Sequence, residues 1–448
     1  MRRREFLTSL ACGVAAPSFR SEIRLRAGES YFRLGGKPAF LLGRNATGRN
    51  PEEFEAPFRW AAEEGDKLVR IHVIDGIQTL GPPGDVEEGW ARRWELVFDM
   101  AAARGLYVLP VFAVWSHWNR GNKGEAWHFW NRNPYSSQMG GPAREPAELF
   151  QDTRCRALWL QWLGRVAARW QTRWNILGWE IFSELDLLEG SSESAALGFQ
   201  ELAAKVLRSA DTRRRPITAS LAGVREWPSL LASDSLDFIQ IHPYWGDLSD
   251  LILSTVHQRL RRYRKPVFIG ECGLDARPPV NTPAILPPAE WGVRHAIWAS
   301  AISGAMNGRM LWWEDGYDLY YKLDLHTKYS HAAAPVARFL KDVERDGFEP
   351  LETGTGNAIR GGAIGNQRVA LGWFRDSQCN WPDWTVRPLE KQSVELALPS
   401  GARGKWNVVF HDTLTGDAMG TLRCACEGGR LRIKLPRFEG AIAFAARG

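Results

Sequence analysis

The sequence predicts an α/β protein: a (β/α)8 barrel of the TIM type, followed by a small C-terminal antiparallel β-sandwich. Eight short apolar runs alternate with amphipathic segments between about residues 38 and 346, and after Gly347 the pattern changes to short alternating segments. The 448 residues leave room for both, because one hydrophobic core stops growing near ~250 to 300 residues. We therefore assign residues 21–346 to the barrel and residues 347–448 to the sandwich.

The eight apolar runs are the expected barrel strands. They cover residues 40–43, 68–73, 107–114, 176–182, 217–221, 238–242, 267–270 and 310–313. Helical patterns follow the runs at residues 52–64, 90–104, 157–170, 194–210, 248–263, 289–303 and 334–344, and only the segment after the fifth run, 227–231, is short. Nearly continuous apolar strands between helices indicate a parallel sheet with a covered outer face, and eight such units favour a closed barrel.

The segments after Gly347 alternate apolar and polar residues with a period of two. They cover residues 368–373, 393–398, 405–410, 430–435 and 441–446, with turn residues between them, as at 414–417. Closely spaced strands of this kind are typical of an antiparallel sandwich. With no low-complexity linker before them, we expect this sheet to pack directly against the barrel.

The N-terminus carries the pattern of an export signal. Three arginines at positions 2–4 precede Phe6 and Leu7, and a short apolar run extends to Ala16. This resembles a bacterial twin-arginine signal, which we place at residues 1–20. The mature protein is therefore expected to be periplasmic or extracellular, with no membrane attachment. Lipid anchoring at Cys12 is an alternative, although the aliphatic residue usual three positions before such a cysteine is missing.

Charge and cysteine content exclude several other classes. The net charge of +6 falls to about +3 when the leader, with four arginines and one glutamate, is removed, and the basic residues are dispersed, so no nucleic-acid partner is predicted. The five cysteines beyond the leader have irregular spacing, which indicates neither a disulfide framework nor a zinc site. We expect a monomer without metal or cofactor.

Two glutamates follow expected strands that lie three βα units apart. Glu184 ends the fourth unit's strand segment and Glu271 follows the seventh, 87 residues later. In a barrel the active site forms at the C-terminal ends of the strands, so both carboxylates should face one mouth. A carboxylate pair can cleave a glycosidic bond: one protonates the leaving oxygen and the other attacks the anomeric carbon.

Other strand ends supply groups that suit this chemistry. Arg70 or a tyrosine near Glu271 would keep that carboxylate ionised, whereas a less solvated Glu184 would stay protonated. Ser183, His242 and Tyr244 are further polar candidates, and the 22 tryptophans include sugar-stacking candidates. The substrate-binding set is Arg70, Trp115, His117, Trp118, Ser183, His242, Tyr244, Trp312 and Trp313.

This combination of strand-end residues resembles the clan A glycoside hydrolases, especially family 5-like cellulases and mannanases. The resemblance covers the barrel and rests on Arg70, Glu184, His242 with Tyr244, Glu271 and a strand 8 tryptophan. It implies endo-acting hydrolysis of β-linked glycans by double displacement with retention and without a cofactor, Glu184 being the acid/base and Glu271 the nucleophile. One position departs from the family pattern: Ser183 stands where an asparagine usually contacts the sugar 2-hydroxyl.

Several alternatives remain at this stage. A non-catalytic or weakly active carbohydrate-binding barrel is possible because of Ser183, and a transglycosylase would share every residue. A metal-dependent hydrolase is disfavoured, since the first strand ends in Gly43-Arg44-Asn45 without a His-x-His motif. The aromatic loop after the third strand, residues 115–150, could line sugar subsites or simply form its own core. β-1,4-Glucan, β-1,3-glucan and β-mannan all remain open as substrates.

Smaller expectations concern single carboxylates and histidines. Glu180 should point into the barrel and pair with Arg70, Glu314 and Asp315 are reserve carboxylates, and His72 should pack or hydrogen-bond inside the barrel. Retention predicts a separation of ~5 to 5.5 Å between the carboxyl groups of the two catalytic candidates, whereas ~9 Å would mean inversion.

Overall fold

The structure is a computed structural model of the whole chain. It describes residues 23–25, 29–48, 50–73, 81–121, 128–244, 246–274, 288–315 and 329–448. The export signal predicted for residues 1–20 lies outside the described residues.

A small antiparallel sheet precedes the barrel. Its strands are β1 (Ile23–Arg24), β2 (Phe32–Leu34) and β3 (Lys37–Ala39). The buried ring of Phe32 meets Phe238 and Phe268 edge-on, at centroid distances of 5.9 and 6.4 Å. Phe238 directly precedes a barrel strand, so this sheet packs at the barrel end opposite the strand C-termini.

Eight parallel strands follow one another around the barrel. They are β4 (Leu41–Ala46), β5 (Leu68–His72), β6 (Tyr107–Val111), β7 (Trp179–Glu180), β8 (Ile217–Thr218), β9 (Ile239–Ile241), β10 (Val267–Ile269) and β11 (Asn307–Arg309). The ladders join β11-β4-β5-β6-β7-β8 and, separately, β9-β10. Hydrogen bonds bridge the two gaps, among them Asp237 N–H to Ile217 O at 2.8 Å, Met306 N–H to Val267 O at 2.9 Å and Cys272 N–H to Met310 O at 2.9 Å. These parallel strands fit the predicted (β/α)8 fold.

The eighth strand differs from its prediction. The apolar run 310–313 was expected to be the strand, but the strand is Asn307–Arg309, and the run contributes an isolated parallel bridge from Leu311 to Cys272. Arg309 and Met310 have φ angles of 70° and 45°, in the left-handed region, so the extended conformation stops before the apolar run. Residues 310–313 are largely buried and continue the pairing irregularly: Met310 N–H donates to Gly43 O at 3.0 Å, and Cys272 N–H donates to Met310 O at 2.9 Å.

Helices cover the outside of the barrel. They are α1 (Glu55–Glu64), α2 (Glu88–Ala103), α3 (Glu148–Gln151), α4 (Thr153–Trp170), α5 (Glu193–Ala210), α6 (Pro228–Ala232), α7 (Leu248–Tyr263), α8 (Ala289–Ile302) and α9 (Ala334–Phe339). Short 3-10 helices lie at Pro51–Phe54, Trp115–Trp118, Trp130–Arg132, Ser137–Met139, Leu185–Leu187 and Ser330–Ala333. The segment after the fifth barrel strand was predicted to be short, and α6, which lies there, has 5 residues. Across the described segments, none of the helices has the length and apolar character needed to cross a membrane.

Side-chain caps and a tryptophan-rich face explain where α4 begins and how it packs. Asp152 accepts a hydrogen bond from the Cys155 N–H at 2.7 Å, which satisfies one free donor of the first turn. Trp162 and Trp170 lie on the buried face and pack against Phe112, the residue after β6. Much of the tryptophan content therefore fills the core.

Asp211 anchors β7 from the far side of the barrel wall. Its carboxylate accepts hydrogen bonds from Trp179 Nε1 and from the Arg215 guanidinium, both at 2.8 Å, and all three residues are buried. We expect Asp211→Ala to lower the free energy of unfolding by about 3 to 5 kcal/mol, because it leaves a buried cation without its partner. Chemical denaturation measures this loss, with Asp234→Ala as an exposed control. Equal stability of the two variants would contradict the assignment.

The C-terminal region is a closed antiparallel sheet, not the predicted sandwich. Its strands are β12 (Glu349–Thr355), β13 (Ile359–Gly365), β14 (Val369–Asp376), β15 (Pro388–Leu389), β16 (Ser393–Ala397), β17 (Gly404–Asp412), β18 (Ala418–Glu427), β19 (Arg430–Lys434), β20 (Phe438–Glu439) and β21 (Ala441–Arg447). The order β12-β13-β14-β21-β17-β18-β19-β16 closes because β12 pairs with both β13 and β16, while β15 and β20 pair separately. Closure leaves no free edge, and the period-two pattern is the same in a sandwich and a barrel.

The two regions pack directly on one another, as predicted. Trp298 on α8 donates its Nε1 hydrogen to Thr413 O at 3.0 Å. Buried Arg375 on β14 pairs with Asp247, the residue that caps α7. A hydrogen bond and a partly buried ion pair therefore join the closed sheet to α7 and α8.

Candidate active site

The structure brings Glu184 and Glu271 together at the C-terminal end of the barrel. One carboxylate oxygen of each and one ring nitrogen of His242 all lie within 4.8 Å of one another. Glu184 follows β7 and Glu271 follows β10, so the parallel direction of the strands places both at the same mouth. The sequence-based expectation that these two side chains meet is confirmed.

Glu271 is held by two donors on opposite oxygens. Arg70 Nη1 donates to Oε1 at 2.8 Å, and the Tyr244 hydroxyl donates to Oε2 at 2.5 Å. Burial by itself would raise the pKa of this carboxyl, but the His242 and Arg70 charges and these two hydrogen bonds together lower it. Glu271 is therefore kept ionised.

Arg70 uses its guanidinium as a fork that joins several strands. It is buried and donates to both oxygens of Glu180, at 2.7 and 2.8 Å, to Ser183 Oγ at 2.8 Å, and to Asn45 Oδ1 at 3.0 Å. Although burial alone would lower the pKa of Arg70, the charges of Glu180 and Glu271 raise it above its usual range. The predicted pairing of Glu180 with Arg70 is confirmed.

Asn45 is a supporting residue that the sequence analysis did not single out. Its amide nitrogen donates to Gly270 O and Met310 O, both at 3.1 Å, while its oxygen accepts from Arg70. Asn45 thereby fixes Arg70 against the strand end that carries Glu271. Its position on the inner face of the first strand, alternating with Arg44, was the one available signal.

Glu184 has an unusual backbone conformation and a different set of partners. Its φ is 61°, in the left-handed region, and its N–H donates to Ser220 Oγ at 3.0 Å. Its carboxylate meets His242 Nδ1 at 3.0 Å. Burial and then the nearby negative charge of Glu271 raise the pKa of Glu184, against the lowering effect of His242. Strained residues of this kind concentrate at functional sites.

The physical reason for the contrast between the two glutamates differs from the one expected. Glu184 was predicted to be less solvated, but its side chain is 12% exposed and that of Glu271 is 6% exposed. The contrast comes from partners instead, because Arg70 and Tyr244 contact Glu271. Charge and hydrogen bonding, more than desolvation, separate the two groups.

His242 lies between the two glutamates. Its Nδ1 is 3.0 Å from Glu184 and 3.6 Å from Glu271. Burial by itself lowers the pKa of His242, but the two carboxylates raise it. A Cβ at Gly270 would lie 2.6 Å from His242 Nε2 and 2.1 Å from Gln240 Oε1, so a larger residue before the nucleophile candidate would have to displace these side chains.

Among the aromatic candidates, Trp312 lies near the glutamate pair, whereas Trp115 and Trp313 pack against other residues. Trp312 lies near the pair, with its ring 5.9 Å from the Arg70 guanidinium carbon and 5.1 Å from the His72 ring. The His72 contact is the predicted packing. Trp313 is partly buried in the core that surrounds β10 and β11, and Trp115 packs edge-on against His128 at 5.5 Å.

The loop after the third strand forms a core of its own. Trp118 is only 2% exposed and lies between Trp130 and Tyr135, at 5.8 and 5.6 Å. His117 is buried against Phe129, and burial lowers the pKa of His117 to about 3. The structure therefore does not present Trp118 as a stacking face, which supports the alternative reading of this loop. Residues 122–127 of the loop lie outside the described part.

The reserve carboxylates have structural partners. Glu314 accepts the Leu274 N–H at 2.8 Å, and Asp315 pairs with Arg309 and lies 3.8 Å from Arg44. These contacts hold the segment after the eighth strand in place. Neither carboxylate belongs to the group formed by Glu184, His242 and Glu271.

That group has the donor atoms of a cation site but the surroundings of a proton-transfer site. Two carboxylates and an imidazole could hold a divalent ion. However, both oxygens of Glu271 already accept hydrogen bonds, and one donor is a permanent cation, Arg70. A second cation would have to displace or repel these donors, so the geometry favours acid/base chemistry.

Comparison with known proteins agrees with this geometry at the level of fold. No protein-family model and no curated protein sequence match the chain. Among solved structures, a glycoside hydrolase is 13% identical with a TM-score of 0.64, covering 97% of this chain and 98% of its own. A glycoside hydrolase family 5 protein from Bacteroides vulgatus ATCC 8482 is 14% identical, with a TM-score of 0.61 and coverages of 97% and 95%.

A third structure has a named substrate. The endo-β-1,4-mannanase from Thermotoga petrophila is 14% identical, with a TM-score of 0.52 and 92% coverage of both chains. The chain thus has the fold of family 5 and related glycoside hydrolases, and the first two structures match it over barrel and C-terminal sheet together. The fold predicted by the family resemblance is confirmed.

Proposed function

We propose that this protein is a retaining glycoside hydrolase that acts on β-linked glycans, either β-glucan or β-mannan. One observation carries the proposal: one oxygen of Glu184 lies within 4.8 Å of one oxygen of Glu271 at the same barrel mouth, and only Glu271 is held ionised by an arginine and a tyrosine. Retaining enzymes place the two groups ≈ 5 to 5.5 Å apart, whereas inverting enzymes leave ≈ 6.5 to 9.5 Å for a water. The spacing here supports retention.

The proposed first step uses both glutamates. Glu271 attacks the anomeric carbon and forms a bond to it, while the glycosidic C–O bond breaks and the Glu184 proton moves to the leaving oxygen. In the second step Glu184 takes a proton from water, the water oxygen bonds to the anomeric carbon, and Glu271 leaves. Two inversions at one carbon give net retention.

The surrounding residues have supporting roles in this proposal. Arg70 and Tyr244 keep Glu271 ionised and oriented, and His242 orients Glu184. Trp312 offers an apolar face to the sugar ring, since aromatic faces stack well on such surfaces. Ser183 donates or accepts near the 2-hydroxyl, although its oxygen already accepts a bond from Arg70.

The substrate and setting belong to the same proposal. A neighbour named as an endo-β-1,4-mannanase supports a polysaccharide or oligosaccharide substrate and endo action. The twin-arginine pattern at residues 1–20 supports export to the periplasm or beyond. Action as a monomer without cofactor is part of the same proposal. β-Mannan, β-1,4-glucan and β-1,3-glucan are the first substrates to test.

The proposal predicts the stereochemistry of the product. With an oligosaccharide from any of these glycans, proton NMR recorded during the first minutes should show the β-anomer of the new reducing end before the α-anomer appears by mutarotation. The early appearance of the α-anomer would establish inversion and refute double displacement. Binding of all three polysaccharides without any product would instead identify a non-catalytic barrel, and transfer products alone would identify a transglycosylase.

The pH dependence of kcat/KM follows from the two pKa shifts. Glu271 must be ionised, and its pKa lies below the ordinary value of 4.5, so activity is lost as the pH falls through that lowered pKa. Glu184 must be protonated, and its pKa lies above 4.5, so activity is lost as the pH rises through that raised pKa. We therefore expect a bell whose limbs lie on either side of 4.5.

A change of leaving group tests the assignment of the basic limb. A dinitrophenyl glycoside needs no protonation of its leaving oxygen, so its kcat/KM profile should lose most of the basic limb while the acid limb stays. Enzyme returned from each pH to the optimum serves as a control for denaturation. Identical basic limbs for both substrates would contradict the role of Glu184.

A further inference from the structure

Ser220 connects the two halves of the site through one hydroxyl group. It lies two residues after β8 and is buried. Its Oγ accepts the Glu184 N–H at 3.0 Å and donates to Glu180 Oε1 at 3.4 Å. A serine hydroxyl has one hydrogen and two lone pairs, so it can make both bonds at once.

The first of these bonds acts on a strained backbone. Glu184 has a φ of 61°, a conformation that costs a residue with a Cβ of order 1 to 3 kcal/mol and persists only when the surroundings hold it. The bond from its own N–H to Ser220 is the side-chain contact that holds this peptide unit. The direction in which the Glu184 carboxyl leaves the backbone therefore depends on Ser220.

The second bond reaches the nucleophile candidate. Glu180 accepts two hydrogen bonds from Arg70, and Arg70 in turn donates to Glu271. Ser220 thus touches the support of Glu271 on one side and the backbone of Glu184 on the other.

From this geometry we infer that Ser220 is a positioning residue, whose hydroxyl sets where Glu184 presents its proton relative to Glu271. The inference rests on the proposed function. Other bonds hold the same two segments together: Leu185 N–H to Ser220 O at 3.0 Å, and Ala222 N–H to Asp186 at 2.7 Å. Because both survive the loss of the hydroxyl, Ser220→Ala should fold.

Thr218 provides a matched control on the same strand. It is buried, and its hydroxyl donates to Phe238 O at 2.9 Å. No bond from this hydroxyl to Glu180, Glu184 or Glu271 is present among the described residues. Ser220→Ala and Thr218→Val each remove one buried hydroxyl from the barrel, but only the first removes a contact with Glu184.

The test compares two leaving groups in the two variants. Ser220→Ala should lower kcat/KM by about 10- to 100-fold for an unactivated oligosaccharide, whose leaving oxygen must be protonated, since misplacement by about 1 Å can cost 10²-fold. For the corresponding dinitrophenyl glycoside the loss should stay within about threefold, far below what proton transfer contributes. Thr218→Val should change both substrates by the same factor, and Ser220→Thr should restore most of the oligosaccharide activity.

The outcomes separate this inference from the proposed function. An active wild type with equal losses for both substrates in Ser220→Ala would overturn the inference alone. If the wild type hydrolyses no glycoside, the proposed function fails, and crystal structures of the two variants still decide the positioning role. Movement of the Glu184 backbone and carboxyl in Ser220→Ala, but not in Thr218→Val, supports it; an unmoved Glu184 in both overturns it.

Discussion

Replacing Glu271 with alanine is expected to lower kcat/KM on the order of 10⁵-fold for every β-glycoside that the wild type hydrolyses. The variant lacks the carboxylate that would attack the anomeric carbon from the side opposite the leaving group, so the glycosyl-enzyme intermediate cannot form at this residue. Substrates with an activated leaving group should lose as much activity. Such a leaving group removes the need for the acid but not the need for the nucleophile. Steady-state kinetics on an oligosaccharide and on a dinitrophenyl glycoside measures it.

Folding stability and product analysis show whether the loss of activity comes from the missing nucleophile. The variant leaves Arg70 paired with Glu180, so the barrel should stay folded. Glu314→Gln, at another strand end, is the matched control, and its loss should be much smaller. Added azide should attack the vacated face of the sugar and give the α-glycosyl azide by single displacement. A variant that keeps more than about one hundredth of wild-type activity would refute Glu271 as the nucleophile.

Replacing Glu184 with alanine should affect substrates unequally. Oligosaccharides should lose about 10²- to 10⁴-fold in kcat/KM, the usual contribution of a general acid, because nothing protonates their leaving oxygen. A dinitrophenyl glycoside should still form the glycosyl-enzyme, whose hydrolysis then becomes slow without a base. Turnover of this substrate should show a burst followed by a slow steady state.

The product formed with azide distinguishes Glu184→Ala from Glu271→Ala. An anionic nucleophile needs no base, so azide should accelerate the slow phase of Glu184→Ala and give the β-glycosyl azide, opposite in configuration to the product of Glu271→Ala. Glu189→Ala, which removes a partly exposed carboxylate paired with Arg120 on the neighbouring loop, is the control. Full oligosaccharide activity in Glu184→Ala, or rescue with α-configuration, would remove Glu184 from the acid/base role.

The catalytic candidates were predictable because barrel topology is local. In every βα unit the strand runs in the same direction along the barrel. A residue just past the C-terminal end of a strand therefore lies at the mouth, whichever unit it belongs to. Glu184, Glu271 and Tyr244 were found in this way. The prediction of Arg70 beside Glu180 used the same rule, since side chains alternate along a strand.

The supporting residues were not predictable in this way. Asn45 donates hydrogen bonds to carbonyl oxygens 225 and 265 residues away. The Ser220 hydroxyl accepts a hydrogen bond from the backbone N–H of a residue 36 positions earlier. Each of them is a polar residue at a buried strand end, and many such residues have a purely structural role. Only the neighbours that closure brings into contact distinguish a positioning group from a satisfied core hydroxyl or amide.

By itself, the sequence determined which two carboxylates meet at the barrel mouth and that a period-two sheet follows the barrel, because both depend on short periodicities. The tertiary structure decided the rest. It closed the second sheet instead of splitting it, placed the eighth strand at Asn307–Arg309, buried Trp118 within its own loop, and brought Asn45 and Ser220 to the site. Each of these depends on contacts between residues far apart in the chain, and such contacts leave no periodic trace in the sequence.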